Sequence, residues 1–293
     1  MRTVQITICF VAILLLHQTA AKAQSDFATY RIDARLVEVY ATVLDERGHF
    51  VDGLPPEAFR VLENGKEQRL NHFESEAQSM HCAILLDTTG SMANALPRLK
   101  NSVIDFIDEL GSEDYVAIYT FTAQLAIQQE FTRDKDAAKR AVLRIRAGGR
   151  TALFNALSET AETMRNQPGK KAMVVFTDGD DNASVLNSAA AVHRARSDGV
   201  PLFTIAEGQA LDCPDLKKVL SNLSTSTGGA AFEVADAKSM VSVFERISSQ
   251  LRHMYLLAYT PELNPEDKDW RKIDVLVDGV QDAHIRAKDG YFP

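Results

Sequence analysis

The stretch that decides the fold is Cys82-Ala83-Ile84-Leu85-Leu86-Asp87-Thr88-Thr89-Gly90-Ser91. Five apolar residues in a row are typical of a strand that is buried on both faces of a parallel sheet. Short side chains that carry oxygen follow at alternate positions, and a glycine among them permits a sharp turn. In an open parallel sheet, ligands bind at the carboxyl ends of the strands. The stretch therefore predicts a buried strand that leads directly into a binding site.

The sequence beyond this stretch alternates short apolar segments with amphipathic ones. The apolar segments predict strands at residues 82–86, 115–121, 126–131, 172–176, 201–205 and 230–234. The amphipathic segments predict helices near residues 93–110, 134–146, 151–166, 183–198, 214–226 and 237–252. Strands that alternate with helices are typical of βαβ units with right-handed crossovers. We therefore predict an α/β fold over residues 79–252, in which helices cover both faces of a doubly wound, mostly parallel sheet.

Both flanks of this α/β region predict strands without helices. Residues 24–78 contain alternating segments near 30–44, 59–63 and 68–73, and Asn64-Gly65 is a strong hairpin signal. Residues 253–293 contain further strand-like segments near 255–259, 270–277 and 283–291. Neither flank has enough strands for an independent sheet. We therefore predict that the flanks pair as one small β-sandwich, with the α/β region inserted between them.

The first 23 residues predict a secretory signal peptide. Arg2 supplies a positive charge, and residues 6–16 form an apolar run that is too short to span a bilayer comfortably. Ala21-Lys22-Ala23 fits the small-x-small cleavage rule. We therefore predict cleavage after Ala23 and a periplasmic or secreted protein. An uncleaved membrane anchor is the alternative, and no later apolar run predicts a second membrane segment.

The composition argues against several classes of partner and scaffold. The chain has 293 residues and a formal net charge of −8, so it repels phosphate backbones and anionic lipids. Cys9 lies within the predicted signal peptide, and Cys82 and Cys213 permit at most one disulfide. We expect these two thiols to be unpaired, with a bridge between them as the alternative. Nucleic acid is therefore not an expected partner, and a disulfide scaffold is excluded.

Oxygen-bearing side chains occupy three places that a parallel sheet brings to one edge. Asp87, Thr89 and Ser91 follow one predicted strand, Asp178 follows another, and Thr151 stands at a helix start behind a glycine loop. We expect these side chains to lie close together at the carboxyl ends of the strands. Two carboxylates and three hydroxyls form an all-oxygen site that suits Mg²⁺ or Mn²⁺. An open position on such a cation accepts a carboxylate from outside the protein.

The same residues do not form a known catalytic motif, because other residues that such motifs require are absent. A phosphatase nucleophile at Asp87 needs a second Asp two residues on, where Thr89 stands. A hydrolase nucleophile at Ser91 needs a glycine where Ala93 stands. The sequence contains neither a phosphate loop nor an H-E-x-x-H zinc motif. We therefore expect a protein that is not an enzyme.

The five oxygen-bearing residues resemble the metal-ion-dependent adhesion site of von Willebrand factor A domains. That family has the pattern D-x-[ST]-x-S, then a lone Thr, then an Asp commonly within T-D-G, and each piece occurs here in that order. The resemblance covers roughly Ser79 to Gln250 and implies a Rossmann-like fold. It implies that Thr89 and Ser91 bind the metal directly, with Thr151 as a further candidate. It also implies that Asp87 and Asp178 act largely through water.

Neighbouring residues narrow the implied site. Met92-Ala93-Asn94 follows Ser91, so an acidic pair for an adjacent second metal is lacking. Asp180 and Asp181 are either additional ligands or part of a solvated acidic loop. Both flanks, including Asp289-Gly290-Tyr291, resemble those of a secreted bacterial "VWFA-related" group.

The resemblance implies a non-enzymatic, extracytoplasmic protein-interaction or adhesion module. Its partner is expected to present an Asp or a Glu to the cation, and no membrane span is expected after signal cleavage. The alternative is an accessory subunit that assists assembly or metal insertion in a larger enzyme complex. Related domains do this beside ATPases, and the predicted signal peptide argues against an ATP-dependent role.

Overall fold

The computed structural model describes residues 36–75, 79–178, 181–262 and 268–293. The predicted signal peptide, residues 1–23 with cleavage after Ala23, lies outside these ranges, and so do residues 24–35 of the predicted N-terminal β segment. Asp180 and residues 263–267 also lie outside the described residues.

Strands and helices alternate in the middle of the chain, and strands predominate on both sides. The strands, numbered in chain order, are β1 (Val37–Leu44), β2 (Phe59–Glu63), β3 (Lys66–Gln68), β4 (Leu70–Glu74), β5 (Met80–Asp87), β6 (Tyr115–Phe121), β7 (Leu125–Thr132), β8 (Lys170–Thr177), β9 (Leu202–Glu207), β10 (Ala231–Val234), β11 (Tyr255–Tyr259), β12 (Arg271–Val277), β13 (His284–Ala287) and β14 (Gly290–Tyr291). The α-helices are α1 (Leu96–Glu109), α2 (Lys135–Arg144), α3 (Leu153–Met164), α4 (Ser188–Ser197), α5 (Pro214–Thr225) and α6 (Ala237–Arg252).

The central sheet has the strand order β10-β9-β8-β5-β6-β7. β5, which contains the decisive apolar run, pairs in parallel with β8 on one side and with β6 on the other. β7 pairs antiparallel with β6 at one edge, and the other pairs in this sheet are parallel. All eight residues of β5 are buried, as expected for a strand that is covered on both faces. The prediction of a mostly parallel sheet is confirmed.

Helices cover both faces of this sheet. Alternation along β5 sends Cys82, Ile84 and Leu86 to one face, where they pack with apolar residues of α1, α2 and α6. Ala83 and Leu85 point to the other face, where α3, α4 and α5 pack. We call these the α1 face and the α3 face. The predicted doubly wound α/β fold class is therefore confirmed.

Two helices start later than the sequence pattern predicts. α1 starts at Leu96 instead of near residue 93, because Gly90–Ala93 forms a short 3-10 helix first. α4 starts at Ser188 instead of near residue 183, and the Asn187 side chain caps it by accepting a backbone hydrogen bond from its first turn. Both differences lengthen loops at the carboxyl edge of the sheet, where the predicted site lies.

The two flanks of the chain build a pair of antiparallel sheets, with the orders β13-β1-β11-β4 and β14-β12-β2-β3. β1 lies between β11 and β13, and β2 pairs with β12. Apolar residues of both sheets form a separate core that includes Val39, Val61, Leu257 and Ile273. The flanking part of the predicted fold, a sandwich of N-terminal and C-terminal strands, is therefore present.

A buried carboxylate joins the two flanks inside this sandwich. Glu63 accepts hydrogen bonds from the hydroxyls of Tyr259 (2.6 Å) and Tyr291 (2.9 Å) and from Nη1 of Arg271 (2.7 Å). Burial raises the pKa of both tyrosines, and the neighbouring carboxylate raises it further. Because Glu63 comes from the N-terminal flank and its three partners come from the C-terminal flank, these polar groups are satisfied only when the flanks pair.

The sandwich contacts the central sheet at the amino-terminal end of β8. The Tyr40 hydroxyl donates a hydrogen bond of 3.1 Å to Gly169 O and accepts one of 3.2 Å from Lys171 N. The Lys171 ammonium also lies 2.9 Å from a carboxylate oxygen of Glu38. These contacts place the sandwich at the edge opposite to the carboxyl ends of the strands, and therefore away from the loops that carry the predicted site.

The two thiols in the described residues are free. Cys82 is buried in the central sheet, and Cys213 is half-buried in the loop before α5. Burial raises the pKa of Cys82. The expectation of two unpaired thiols is confirmed, and the alternative of a bridge is wrong.

Candidate metal centre

The predicted site lies where the strand order of the central sheet changes direction. The chain runs from β5 to β6 on one side, and it later returns to β8 on the other side of β5. Loops that leave such a point in opposite directions open a crevice, in which ligands of α/β sheets bind. Asp87 is the last residue of β5, and Asp178 directly follows β8. The two predicted carboxylates therefore come to adjacent positions on one edge.

Asp87 is the buried centre of a local hydrogen-bond network. Its Oδ1 atom accepts hydrogen bonds from the backbone N–H of Thr89 (2.9 Å) and from the Thr89 hydroxyl (2.7 Å). Its Oδ2 atom accepts a hydrogen bond of 3.0 Å from the Thr177 hydroxyl at the end of β8. The Asp87 side chain is thus oriented both by its own turn and by the neighbouring strand.

The network continues through two hydroxyls to the second carboxylate. The hydroxyl oxygens of Thr89 and Ser91 lie 3.1 Å apart, and the Ser91 hydroxyl donates a hydrogen bond of 2.9 Å to Asp178 Oδ1. Asp87 and Asp178 are buried, whereas Ser91 is exposed. Four of the five predicted residues therefore form one continuous hydrogen-bonded chain, in which Thr89 is buried and Ser91 faces solvent.

Thr151, the fifth predicted residue, is held beside this chain through backbone contacts. The preceding loop is fastened to the turn after β5, because Gly148 N donates to Thr88 O (2.7 Å) and Gly90 N donates to Gly149 O (3.3 Å). The Thr151 carbonyl accepts hydrogen bonds from the backbone N–H groups of residues 182 and 183. Thr151 is buried. Within the described residues its hydroxyl is not a member of the chain that links the other four.

Gly149 has a conformation that its loop requires. Its φ is +100°, and a Cβ atom at this position lies 2.9 Å from Cβ of Thr122. A larger residue is therefore excluded both by the backbone conformation and by the neighbouring side chain. The close approach of this loop to the turn after β5 depends on this glycine.

Burial makes both carboxylates of the site sensitive to their surroundings. Burial raises the pKa of Asp87, and its hydrogen bonds from Thr89 and Thr177 counteract part of this shift. Burial likewise raises the pKa of Asp178, and the hydrogen bond from Ser91 lowers it. The charge of Asp178 contributes to raising the pKa of Asp87. A positive ion between the two carboxylates offsets both the burial and the mutual repulsion.

The donor atoms of this site fit a hard divalent cation. Two carboxylates and the hydroxyls of Thr89, Ser91 and Thr151 supply only oxygen, which Mg²⁺ and Mn²⁺ prefer. In the part of the chain that the structure describes, no group of three or more His, Cys, Asp or Glu side chains is arranged to hold a metal ion. The donor set therefore depends on hydroxyls, and it differs from the nitrogen and sulfur ligands typical of structural zinc sites.

Asp181 has a structural role that the sequence analysis left open. Its carboxylate accepts hydrogen bonds from the backbone N–H groups of Phe154 (2.9 Å) and Ser184 (2.9 Å). It therefore ties the loop after Asp178 to the first turn of α3, where the N–H groups lack partners within the helix. The same contact explains why residues 183–187 form a loop and not the predicted start of a helix.

Three further residues beside the site, Thr177, Glu207 and Arg98, are not predicted by the sequence pattern. Thr177 hydrogen-bonds to Asp87, and its place next to Asp178 is the only sequence signal for this role. Glu207 is buried at the end of β9 and forms an ion pair with Arg98 of α1. The residues of this pair are 109 positions apart, so no local pattern predicts it.

Helices within the described ranges give no membrane segment, since none is both long and apolar enough to cross a bilayer. The segment that carries the predicted signal peptide lies outside those ranges. The periplasmic or secreted location therefore stays a prediction from the sequence.

Comparison with protein families gives a match to the von Willebrand factor type A domain over residues 82–246, which is more than half of the chain. This range contains the five predicted site residues and all of the central sheet except the first two residues of β5. Comparison with curated proteins returns no match.

Solved structures with a similar fold come from bacteria and from an animal. BatB of Bacteroides thetaiotaomicron is 19% identical, covers 58% of this chain and 98% of its own, and superposes with a TM-score of 0.50. The vWF domain of the type V pili tip protein Mfa5 of Porphyromonas gingivalis is 10% identical, with 59% and 95% covered and a TM-score of 0.51. Proximal thread matrix protein 1 of the mussel byssus, solved with a zinc-occupied MIDAS motif, is 19% identical, with 65% and 50% covered and a TM-score of 0.51. At these low sequence identities, the comparison shows that the chain shares the fold of these proteins and shows no more than that.

Proposed function

Because the chain belongs to the von Willebrand factor type A domain family, we propose that it is a non-enzymatic protein-interaction or adhesion module. In this proposal, Asp87, Thr89, Ser91, Thr151 and Asp178 hold Mg²⁺ or Mn²⁺, and an Asp or Glu of a partner protein completes the coordination. Domains of this family are generally protein-interaction modules. The proposed location is periplasmic or extracellular, on the strength of the signal-like residues 1–23.

The observation that carries this proposal is the continuous chain Asp87–Thr89–Ser91–Asp178 at the carboxyl edge of the sheet. Its carboxylates are buried and its Ser91 end is exposed. A cation held by these groups is therefore bound on its buried side by the carboxylates and is accessible from solvent on the Ser91 side. Such an arrangement supports binding of an external group better than a fully enclosed structural site.

Charge balance supports a carboxylate as that external group. Two buried carboxylates neutralise a dication without leaving an excess of negative charge, so the bound ion still attracts a further anion. The hydroxyls of Thr89 and Ser91 orient the site without adding charge. When bound, the cation supplies the positive charge that recognises the partner's carboxylate.

The arrangement of Ser91 supports binding more than catalysis. Its hydroxyl donates to Asp178 and contacts the Thr89 hydroxyl, and neither of these neighbours is a histidine base. Nucleophilic serines need an adjacent general base that accepts their proton at neutral pH. We therefore propose a binding role and no catalytic one.

The proposal is tested by titrating the protein with Mn²⁺ under electron paramagnetic resonance, with Mg²⁺ as competitor. We expect one saturable site that Mg²⁺ displaces. Asp87→Asn keeps the shape of the side chain and is expected to weaken Mn²⁺ binding by about tenfold or more. Asp136→Ala, at an exposed carboxylate on α2, is the matched control and should bind like wild type.

The outcomes separate the proposal from its competitors. Loss of the site in Asp87→Asn but not in Asp136→Ala supports a metal-dependent module. Failure of the wild-type protein to bind Mn²⁺ at millimolar concentration overturns the metal-dependent function and leaves a structural scaffold. Circular dichroism of both variants checks that the fold is retained.

A further inference from the structure

Two arginines flank the metal centre from opposite faces of the central sheet. Arg98 is in the first turn of α1, on the α1 face. Arg150 directly precedes Thr151, beside the start of α3 and thus on the α3 face. The formal net charge of the chain is −8, so two cations around a site proposed to receive a carboxylate oppose the general charge of the protein.

Glu207 holds Arg98 beside the centre. Nη2 of Arg98 donates a hydrogen bond to Glu207 Oε1, and the Glu207 side chain is only 3% exposed while that of Arg98 is 43% exposed. The last paired residues of β8 and β9 are Thr177 and Ala206. The residues that follow them, Asp178 and Glu207, therefore lie side by side. A Cβ atom on Gly208 lies 3.3 Å from Cβ of Asp178, which confirms the close approach. Glu207 therefore lies one strand spacing from a proposed metal residue, and Glu207 in turn holds Arg98.

The second carboxylate oxygen of Glu207 also indicates that Arg98 is held in place by this residue. Oε2 is buried and has no hydrogen-bond partner among the described residues. A buried carboxylate that is only half satisfied depends on its one cationic partner. Arg98 is therefore oriented from the buried side, and its guanidinium retains further donors for a group arriving from solvent.

Arg150 is fixed on the other side in a comparable way. Its Nη2 atom donates a hydrogen bond to the carbonyl of Asn182, and Asn182 N donates to Thr151 O at 3.0 Å. The side chain of Arg150 is exposed. Arg150 is therefore tied to the loop of Asn182, which also contacts the proposed metal residue Thr151, and its side chain stays exposed.

We propose that Arg98 and Arg150 bind carboxylates that flank the metal-bound one, so that the partner presents a polyacidic segment and not a single acidic residue. The proposal rests on the proposed function, because the central carboxylate is the one on the cation. The segment crosses the carboxyl edge from the α1 face to the α3 face. Arginine suits this role because its planar group binds a carboxylate through two parallel hydrogen bonds.

The test measures binding of two fluorescein-labelled peptides by anisotropy in Mg²⁺. One peptide is octaglutamate, and the other is a matched octapeptide with one Glu among seven Gln. We expect wild type to bind octaglutamate more tightly. Arg98→Gln and Arg150→Gln should each weaken octaglutamate binding by roughly three- to tenfold, with little effect on the single-Glu peptide. Arg47→Gln, at an exposed arginine of the sandwich, is the matched loss of charge and should change neither.

Each outcome bears on one proposal or the other. If Arg98→Gln and Arg150→Gln bind octaglutamate as wild type does while binding still requires Mg²⁺, the polyacidic partner is wrong and the metal-dependent function stands. If Arg47→Gln weakens binding equally, the effect is one of net charge and the assignment to these two arginines is overturned. If neither peptide binds and Mn²⁺ resonance shows no site, the proposed function fails. If Mn²⁺ binds but octaglutamate does not, the polyacidic partner is rejected alone.

Arg98→Gln removes the counter-charge of buried Glu207, so a loss of binding in that variant needs a check on folding. The double variant Arg98→Gln, Glu207→Gln removes both charges of the pair and avoids a lone buried carboxylate. It is expected to fold and to show the same loss of octaglutamate affinity as Arg98→Gln. Wild-type affinity in the folded double variant overturns the role of Arg98.

Discussion

The Ser91 hydroxyl donates a hydrogen bond of 2.9 Å to Asp178 Oδ1 across 87 positions of the chain. This contact joins the turn after β5 to the residue after β8, and it forms only because these strands are neighbours in the sheet. Ser91 lies at the solvent-exposed end of the site and Asp178 at its buried side. Substitutions at Ser91 therefore separate metal binding from stability more cleanly than substitutions at either aspartate.

Ser91→Ala is expected to weaken Mn²⁺ binding by about tenfold or more, because it removes a proposed ligand. The free energy of unfolding should change by less than about 1 kcal/mol, since the side chain is exposed. Paramagnetic resonance titration and urea unfolding measure the two effects. Ser242→Ala, at an exposed serine of α6, is the control. Unchanged Mn²⁺ affinity in Ser91→Ala contradicts its place among the ligands.

Gly149→Ala is expected to lower both stability and metal affinity. The new methyl group meets Thr122 at 2.9 Å and the backbone stays at φ +100°, so the loop before Thr151 must shift. Strain of this kind costs about 1–3 kcal/mol. Gly53→Ala is the control, because it has φ +69° with no neighbouring atom within 4 Å. A destabilised Gly149→Ala that keeps full Mn²⁺ affinity argues against Thr151 as a ligand.

Arg271→Met is expected to destabilise the sandwich by about 3–5 kcal/mol, because it leaves Glu63 buried without its counter-charge. The two side chains are only 6% and 7% exposed, so solvent does not replace the lost partner. Lys272→Met changes the next residue of β12, which is 62% exposed, and should cost far less. Urea unfolding followed by hydrogen exchange of β2 and β12 compares them. Equal stability of the two variants contradicts a stabilising role for the buried pair.

The protein is expected to lose stability at alkaline pH through Tyr259 and Tyr291. Both have a pKa raised above the ordinary value of 10.0 in the folded state. Below pH 10 each tyrosine is protonated whether the chain is folded or not. Their ionisation therefore does not make the free energy of unfolding depend on pH in that range. Above pH 10 the unfolded chain releases these protons first, and each tyrosine lowers the free energy of unfolding by about 1.4 kcal/mol per pH unit.

Urea unfolding between pH 8 and pH 11 tests this prediction. The double variant Tyr259→Phe, Tyr291→Phe is expected to be less stable at pH 8, because Glu63 loses two hydrogen bonds. Its stability should nevertheless fall less steeply above pH 10 than that of wild type. Identical slopes for the two proteins refute the assignment to these tyrosines.

Deletion of residues 253–293 is expected to unfold the N-terminal β segment. β1 loses both neighbours, β11 and β13, and β2 loses β12. β1 is then left without a partner, and β2 keeps only the three-residue strand β3. A two-stranded hairpin of this kind is at best marginally stable in water. Hydrogen exchange over β1 and β2 in the truncated chain, compared with the full chain, measures the effect. Retained protection in these strands contradicts the idea that the flanks fold as one unit.

Local patterns in the sequence were sufficient for the fold class and for the expectation that Asp87, Thr89 and Ser91 lie close together. A continuous apolar run such as Cys82–Leu86 has few alternatives to a buried strand, because the polar backbone must pair while both faces are covered. Alternate oxygen-bearing residues around Gly90 similarly predict a turn that gathers them. These predictions succeed because the physical cause lies within a few residues of its effect. The starts of α1 and α4 are exceptions, and at α4 the cause is distant, because Asp181 binds Phe154 and keeps residues 183–187 out of the helix.

Tertiary structure alone decided which distant side chains meet. The contacts of Asp87 with Thr177 and of Arg98 with Glu207 span 90 and 109 positions. The register of β5, β8 and β9 sets them, together with the face on which α1 packs. Strand pairing also brings Glu63 into contact with three residues that are far away in the sequence, namely Tyr259, Tyr291 and Arg271. A sequence shows which residues are able to carry charge or to bind an ion, but strand pairing determines which of them share a dry environment, and burial there sets the strength of their interaction.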